Sequence, residues 1–425
     1  MHYLQRPIAI ALAAFYVLAL VLDRAAGVIF ALLALAGLAA IGLRAIASGK
    51  SFGQMMKAYW PLHLAMAAPL IAVLCNQAAS GRFAGRSIDL PLRLALFALV
   101  FWAIVQVPYR YLKHLQWAFA VGAFGAALKI HLLTGGGDHR YATDFIPIGI
   151  FAEMGLLLGI FSAFALVRWN APGRKWAILL GLTGACAGVY TAYLSGSRGT
   201  WVTIPFFALI ACISARHLSH RHKSLIAALC IAALSASFFY GKIAEERVLE
   251  IRSDIQGYEQ GTVLDSSIGT RFQLWKGSWI LFKEHPVFGV GPENYRAALH
   301  ELSTRNIITP DAAGFAHSHN EILFMMVKLG AFGLLAILAV YFVPMFYFGR
   351  DLRHDDREVR GAAAMGMALC AGIALLGLTD VAFLWWEIFP FYAIGVALFL
   401  ACMIKRKEDI ISASGRCSAT ARPIC

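Results

Sequence analysis

Residues 25–43 read AAGVIFALLALAGLAAIGL, an unbroken run without a charged residue. A helix needs about 20 mostly apolar residues to cross the hydrocarbon core of a bilayer, so this run is long enough to span it. Its apolar residues are continuous and rich in alanine and leucine, and they lack the period-two alternation of a half-buried strand. Because lipid offers no water to the backbone, only helices and closed barrels span membranes, and this pattern favours a helix.

The chain as a whole is also strongly apolar. Of its 425 residues, 60% are hydrophobic and 14% are charged, and the mean hydropathy is +0.67. Soluble domains carry roughly 25% charged residues, so lipid must be part of the solvent of this chain. We therefore predict an all-α polytopic membrane protein. The apolar runs between charged or Gly/Pro breaks predict twelve transmembrane helices, at about 7–22, 25–43, 58–75, 89–107, 115–133, 145–167, 176–194, 200–215, 224–241, 320–348, 361–379 and 388–404.

The lysines and arginines predict the orientation of these helices, because cytoplasmic loops are enriched in both. With the N-terminus in the cytoplasm, 21 of the 37 basic residues fall in cytoplasmic segments and five in the short outward loops. An even number of spans returns the C-terminus to the cytoplasm. We predict helices 1–9 within 1–241, an outward helical loop at 242–319, helices 10–12 within 320–404 and a cytoplasmic tail at 405–425. The net charge of +13 is then a topology signal, and we expect no nucleic-acid partner.

The long outward loop is too long for a simple connection and too apolar for a linker. Apolar residues at helical spacing predict an amphipathic helix at 243–255, and a second helix begins near Arg271 with an aromatic face that suits a membrane–water interface. This second helix ends at Pro286, a glycine-rich turn follows at 287–292, and a short helix begins near Glu293. We expect a small helical cap on the outer leaflet. None of the eight cysteines lies in the loop and no two have metal-ligand spacing, which predicts neither a disulfide framework nor a zinc site.

The string HSHNE at residues 317–321 stands at the start of the predicted tenth span. Two histidines at a helix entrance on the outward side can exchange protons near neutral pH, which makes His319 and His317 candidates for acid–base chemistry. A structural interpretation is also open. Asn320 is a good N-cap, Glu321 suits the positive end of a helix, and either histidine can simply bond to the loop.

Two arginines are candidates for binding a phosphate. Arg198 lies in a tight outward turn, SGSRG at 195–199, where glycines let a ligand approach the backbone and the guanidinium can bind a phosphate through two hydrogen bonds. The alternative is an arginine that reaches the headgroups from a membrane interface. Arg271 begins an aromatic-faced helix, and a contact with solvent or lipid phosphate would explain it equally well.

Together these strings resemble the O-antigen ligase and polymerase superfamily of bacterial envelope glycosyltransferases. The resemblance rests on SGSRGTW at 195–201, on the stretch from Arg271 to HPVFGVGP at 285–292, and on HSHN at 317–320 with a glycine at Gly330. Twelve spans with one long periplasmic loop before the last three are similar to the family too, and imply a GT-C-like architecture in the bacterial inner membrane. An acidic residue is common in the family just before the glycine that matches Gly330, whereas this region has Lys328.

The short C-terminus makes the chain look most like the O-antigen ligases of that superfamily. The resemblance implies transfer of an O-antigen polysaccharide from undecaprenyl pyrophosphate to a sugar hydroxyl of lipid A-core, in lipopolysaccharide biosynthesis. His319 would be the base, Arg198 and Arg271 would bind the donor pyrophosphate, and His317 and Asn320 would support the site. Scattered acidic residues suggest an inverting, metal-independent transfer without a cofactor. O-antigen polymerase and protein O-oligosaccharyltransferase remain the close alternatives.

A secondary transporter is a more distant alternative. Twelve helices are common in that class, and Glu153 and Lys129 could be functional charges inside the membrane. Transporters place their substrate sites near the midplane, often between related repeats. The sequence has no obvious matching halves, and its polar motifs gather at the outward face.

Overall fold

In the computed structural model, the described residues are 2–42, 51–136, 143, 145–165, 174–215, 219, 221 and 252–420. The regular structure within them is helical, which confirms the predicted all-α class. Nine of the described helices are long and apolar enough to cross a membrane, and two apolar helices are shorter. The chain is therefore a multi-pass membrane protein. The predicted ninth span at 224–241 lies outside the described residues.

The helices follow the predicted apolar runs in order. They are α1 (His2–Leu18), α2 (Ala25–Gly42), α3 (Phe52–Ala58), α4 (Trp60–Ser80), α5 (Asp89–Ala95), α6 (Phe97–Val105), α7 (Tyr109–Leu112), α8 (Gln116–Thr134), α9 (Ile148–Ala165), α10 (Arg174–Leu194), α11 (Arg198–Trp201), α12 (Ile204–Ser214), α13 (252–259), α14 (Ser267–Glu284), α15 (Tyr295–Thr304), α16 (Pro310–Ala313), α17 (Glu321–Gly349), α18 (Arg357–Leu376) and α19 (Ile388–Thr420).

Several boundaries differ from the predicted ones. The eighth span, predicted as one helix at 200–215, is divided into α11 and α12, and a proline stands in the first turn of α12, where its missing N–H costs no helical hydrogen bond. At the C-terminus, α19 continues past the predicted end of the last span at residue 404. Lys407 on this extension pairs with Asp351 at 2.7 Å, and Arg406 pairs with Asp356 at 2.8 Å. These ion pairs join the extension to the turn between α17 and α18, at the end of the bundle opposite His319.

Small residues bring the membrane helices close together. A Cβ added to Gly159 on α9 would lie 2.9 Å from the Cα of Gly188 on α10, so the two backbones are in direct contact. Close approach of this kind is the usual basis of helix association in lipid, where dispersion contacts replace the hydrophobic effect. Elsewhere aromatic rings fill the core, with Tyr16 edge-on to Phe119 at a centroid distance of 4.7 Å.

The cap helices, α13 to α16, precede the long helix α17. Leu274, Leu299 and Leu302 form an apolar cluster that also includes Phe324 of α17. The cap helices therefore pack on the first turn of α17. The predicted helix near Arg271 begins a little earlier, at Ser267, where the side chain of Ser266 accepts a hydrogen bond from the N–H of Gly269.

A break in α17 receives a turn at 286–291, which contains most of the glycine-rich stretch predicted at 287–292. Gly330 has φ 63° and ψ −146°, outside the helical region, so backbone groups on either side lose their partners within the helix. The N–H of Val290 donates to the carbonyl of Val327 at 2.9 Å, and the N–H of Gly291 donates to the carbonyl of Lys328 at 3.0 Å. The N–H of Ala331 donates in turn to the carbonyl of Pro286 at 2.8 Å. The turn thus satisfies backbone groups that lipid could not.

The turn at 286–291 needs glycine at the contact with α17. A Cβ at Gly289 would lie 2.5 Å from the backbone of residues 327–329. Asn76 on α4 fixes the same turn from the other side, because its Nδ2 donates to the carbonyl of Phe288 at 2.7 Å. The glycines of the HPVFGVGP string therefore have a structural role at a junction of the cap helices, α4 and α17.

We expect Gly330→Ala to destabilise the protein more than Gly81→Ala does. Gly81 has a left-handed helical backbone (φ 64°, ψ 14°), which costs an alanine about 1–2 kcal/mol, whereas Gly330 (φ 63°, ψ −146°) lies in a region that is essentially restricted to glycine. A Cβ at Gly81 would meet nothing within 4 Å, whereas one at Gly330 would lie 2.3 Å from the carbonyl oxygen of Val287. Thermal unfolding of both variants in detergent tests this. Equal shifts of the midpoint would contradict this expectation.

Candidate active site

The residues before α17 form a short segment that places two histidines side by side. His319 has φ 52°, a left-handed conformation that is uncommon for residues other than glycine. The preceding Ser318 is fully buried, and its hydroxyl donates to the carbonyl of Asn320 at 2.7 Å. Trp275 of α14 donates its indole N–H to the carbonyl of Ser318 at 3.1 Å. The cap helices therefore hold the backbone that carries His319.

Asn320 is the N-cap of α17 and also a bridge to another segment. Its side-chain oxygen accepts a hydrogen bond from the N–H of Leu323 at 3.0 Å, as the sequence allowed. Its amide Nδ2 donates to the carbonyl of Leu378 at 3.3 Å, and the N–H of Glu321 donates to the carbonyl of Gly377 at 2.7 Å. These bonds join the start of α17 to the 377–384 segment, which is part of the connection between α18 and α19.

This contact brings Asp380 to the histidines. Its Oδ1 lies 3.8 Å from Nδ1 of His319, and the two side chains are 25% and 24% exposed, so both are open to a substrate. The rings of His317 and His319 meet edge to face with centroids 4.3 Å apart. The N–H of His319 donates to Nδ1 of His317 at 3.3 Å, so His317 carries its proton on Nε2 when it is neutral.

Sequence reasoning missed Asp380, although a signal was present. It is a carboxylate at the end of a predicted span, in the otherwise apolar string LLGLTDVAFL. An isolated acidic residue at such a boundary is a functional candidate in its own right. Its pairing with His319 depends on the fold, because 61 positions separate the two residues in the sequence.

Both histidines are neutral at pH 7. The pKa of His319 is lowered to about 4: burial is the main cause, the charges of His317 and Arg271 also lower it, and the charge of Asp380 raises it. Burial also lowers the pKa of His317, against the raising effect of Asp380. A neutral imidazole can accept a proton, and a carboxylate beside it then stabilises the imidazolium that forms.

Arg271 lies in the second turn of α14 and is half-buried. Its positive charge is one of the causes of the low pKa of His319, so the structure places the two side chains in the same electrostatic environment. The two residues were predicted as separate motifs of the long loop. Trp275, one turn beyond Arg271, explains their proximity, because it is bonded to the backbone next to His319.

The 195–201 turn lies against the 377–384 segment. A Cβ added to Gly199 would be 2.7 Å from Oγ1 of Thr379, which leaves no room for a larger residue. A Cβ added to Gly149, at the start of α9, would be 3.3 Å from Oγ of Ser197 and 3.7 Å from Oδ2 of Asp380. The backbone that carries Arg198 is therefore close to Asp380. The side chain of Arg198 is outside the described part of the chain.

Hydrogen bonds of two buried threonine hydroxyls stabilise the 195–201 turn. Thr200 donates to Oγ of Ser197 at 3.3 Å, and Thr203 donates to the carbonyl of Thr200 at 2.7 Å. Thr203 also lies 3.3 Å from Oε2 of Glu153, a fully buried residue of α9. Glu153 is one of the two charged residues on which the transporter interpretation rests. It contacts Thr203, which is bonded to this turn. Lys129, the other, donates to the carbonyl of Val21 at 3.1 Å.

The cluster of His317, His319 and Asp380 also has the donor atoms of a transition-metal site. One atom from each residue lies within 4.8 Å of the others, and two imidazoles with a carboxylate suit zinc or iron. The sequence predicts neither a metal nor a cofactor. The same three side chains form a neutral base with a carboxylate partner, and that chemistry requires no ion.

Residues 183–338 match a family model described as O-antigen ligase. An uncharacterized protein of Haemophilus influenzae is 26% identical over 291 residues, which cover 66% of this chain and 71% of that protein. An O-antigen ligase of Escherichia coli is 25% identical over 281 residues, which cover 64% of this chain and 62% of that ligase. The chain thus spans less than two thirds of the Escherichia coli protein.

The region matched by the family model contains most of the candidate site. It runs from the second half of α10, through the 195–201 turn and the cap helices, into α17, and so includes Arg198, Arg271 and His319. Asp380 lies beyond it. With the membrane helices on either side, this match confirms the resemblance of the chain to the O-antigen ligase/polymerase superfamily.

Proposed function

We propose that the protein is an O-antigen ligase of the bacterial inner membrane, with its active site on the periplasmic side. It would transfer an O-antigen polysaccharide from undecaprenyl pyrophosphate to a sugar hydroxyl of lipid A-core, in lipopolysaccharide biosynthesis. The observation that carries the proposal is the pairing of His319 with Asp380, next to Arg271 and the 195–201 turn, at one end of the membrane helices. Both substrates are lipid-anchored, so a site at a membrane boundary suits them.

His319 is the proposed general base. The acceptor hydroxyl oxygen attacks the anomeric carbon of the donor sugar, and the hydroxyl proton passes to the imidazole. The bond between that carbon and the pyrophosphate oxygen breaks, and the lipid pyrophosphate leaves with the electron pair. Attack opposite the leaving group inverts the anomeric centre. Asp380 stabilises the imidazolium that results, and proton transfer of this kind contributes about 10²–10⁴-fold to the rate.

Arg198 and Arg271 are the proposed ligands of the donor pyrophosphate. Negative charge builds up on the leaving pyrophosphate as the glycosidic bond breaks, and fixed guanidinium groups stabilise that charge without reorganising. The half-buried position of Arg271 supports this role, because the guanidinium is less screened there than in bulk water. His317 and Asn320 are proposed to position His319, and the transfer is proposed to be metal-independent.

Two members of the same superfamily are the alternative functions: O-antigen polymerase and protein O-oligosaccharyltransferase. The chemistry at the donor is the same in all three, and the acceptor differs. A strain that lacks the gene separates them. Loss of a ligase leaves long polymer on its lipid carrier, and this is the result we expect. Single repeat units attached to core would indicate a polymerase, and normal lipopolysaccharide with unmodified proteins would indicate a protein-directed enzyme.

We expect His319→Asn to reduce transfer by about 10²–10⁴-fold, because asparagine tolerates the left-handed backbone but cannot accept the proton. The assay combines purified protein, lipid-linked donor and rough lipopolysaccharide in excess EDTA, where the wild type should remain active. His300→Asn, an exposed change on α15, is the matched control and should behave as wild type. Near-normal transfer by His319→Asn would refute the assignment of the base.

The rate should depend on pH through His319. The base must be neutral, so kcat/KM is expected to be flat at neutral pH and to fall as the pH drops through about 4, the pKa of His319. Arg271→Gln removes a positive charge that lowers this pKa, so the acid limb should move to higher pH. Asp380→Asn removes the opposing carboxylate and should move it to lower pH. An acid limb that neither change shifts would show that another group controls the rate.

A further inference from the structure

A buried carboxyl group lies next to the 195–201 turn. Glu153 is fully buried and stands one helical turn further along α9 than Gly149, which lies against Ser197 of that turn. The described residues offer the carboxyl group one partner, Thr203, whose Oγ1 is 3.3 Å from Oε2. The other oxygen, Oε1, has no hydrogen-bond donor. The proposed reaction uses neither oxygen, so Glu153 needs another explanation.

The hydroxyl proton of Thr203 determines the protonation state of Glu153. Thr203 has one such proton, and its shorter contact, 2.7 Å, is with the carbonyl oxygen of Thr200. A carbonyl oxygen can only accept, so the proton of Thr203 is used there. The proton between Thr203 and Glu153 then belongs to the carboxyl group, which donates from Oε2 and is neutral. A neutral acid also suits these surroundings, because an ionised carboxylate without a cation is unfavourable inside the membrane helices.

Stability does not explain a neutral acid at this position. Oε1 is a buried acceptor without a donor, and such a group loses its hydration without compensation. The neighbouring helix α18 leaves room for it, since a Cβ added to Gly372 would lie 2.7 Å from Oε1. An apolar side chain would avoid the unpaired oxygen, and Thr203 would keep its bond to Thr200. A role in the active site is the better explanation of Glu153.

The bond from Glu153 to Thr203 acts on the helix that begins at Arg198. This helix, α11, has four residues, and a helix so short is not stable by itself. Thr203 follows it directly and joins its Thr200 to Glu153 on α9. Gly199 packs on Thr379 of the 377–384 segment. Two contacts thus fix α11, and with it the backbone of Arg198.

We propose that Glu153 is a positioning residue: as a neutral acid it donates a hydrogen bond to Thr203 and so orients α11 for binding of the donor pyrophosphate by Arg198. Glu153 touches neither substrate. This inference rests on the proposed role of Arg198 as a ligand of the pyrophosphate. It differs from the transporter interpretation, in which Glu153 would act as a charge.

The affinity of the purified full-length protein for undecaprenyl pyrophosphate tests this role. Glu153→Gln keeps a neutral donor for Thr203 and should bind the lipid as wild type does. Glu153→Leu has a similar size but no donor. It should weaken binding and lower kcat/KM by about 10–10²-fold, because a displacement of about 1 Å in a binding group can cost about 10²-fold. Its unfolding temperature should equal or exceed that of wild type, a combination that a merely structural role would not produce.

Two further variants keep the test independent of the folding of Glu153→Leu. Thr203→Val removes the acceptor without changing the size of the side chain and should weaken binding to a similar extent. Ser162→Ala is the matched control, because it removes another buried hydroxyl from α9 that is bonded only within that helix. It should bind undecaprenyl pyrophosphate as wild type does.

A double-mutant cycle with Arg198→Ala identifies the path of the effect. Because Glu153 acts through Arg198, Glu153→Leu should not weaken binding further once Arg198 is alanine. Normal binding by Arg198→Ala would refute the proposed pyrophosphate ligand and this inference with it. If Arg198→Ala weakens binding but Glu153→Leu and Thr203→Val do not, or if the losses add, only the role of Glu153 is overturned. Weak binding by Glu153→Gln would also overturn it, since an ionisable group would then be required.

Discussion

The break in α17 is the constraint on which the rest of the site depends. A membrane helix that opens at Gly330 exposes backbone groups, and lipid cannot bond to them. The turn at 286–291 supplies the partners and is itself held by Asn76 of α4. This junction fixes the cap helices on the membrane helices. Because Trp275 of those cap helices binds the backbone beside His319, the position of His319 depends on a backbone contact deeper in α17.

Four distant parts of the chain form the candidate site. The 195–201 turn, the first half of α14 and the 317–320 segment were identified by sequence, and the 377–384 segment joins them. Gly199 packs on Thr379, and Asn320 binds the carbonyl of Leu378. Asp380 thereby faces His319 on one side and the turn of Arg198 on the other. Small side chains at the contacts let whole backbones meet, which places charged groups from separate helices close together.

The fold class could be predicted from the sequence because long apolar runs without charged residues commonly form helices in lipid. The motifs around Arg198, Arg271 and His319 could be found for a related reason: polar strings are conspicuous in an apolar chain. Asp380 could not be paired with His319, because no local pattern encodes a contact between two loops. The division of the span at 200–215 into two helices and the need for glycine at Gly289 could not be predicted either. Both depend on which segments pack against them.

The central claim is that pyrophosphate, base and acceptor meet beside Asp380. The most direct measurement is a structure of the full-length protein in a lipid nanodisc with its undecaprenyl pyrophosphate-linked donor bound. The account predicts that the pyrophosphate contacts the guanidinium groups of Arg198 and Arg271, with the anomeric carbon exposed toward His319. A pyrophosphate bound away from the 195–201 turn, or an anomeric carbon that faces away from His319, would contradict it.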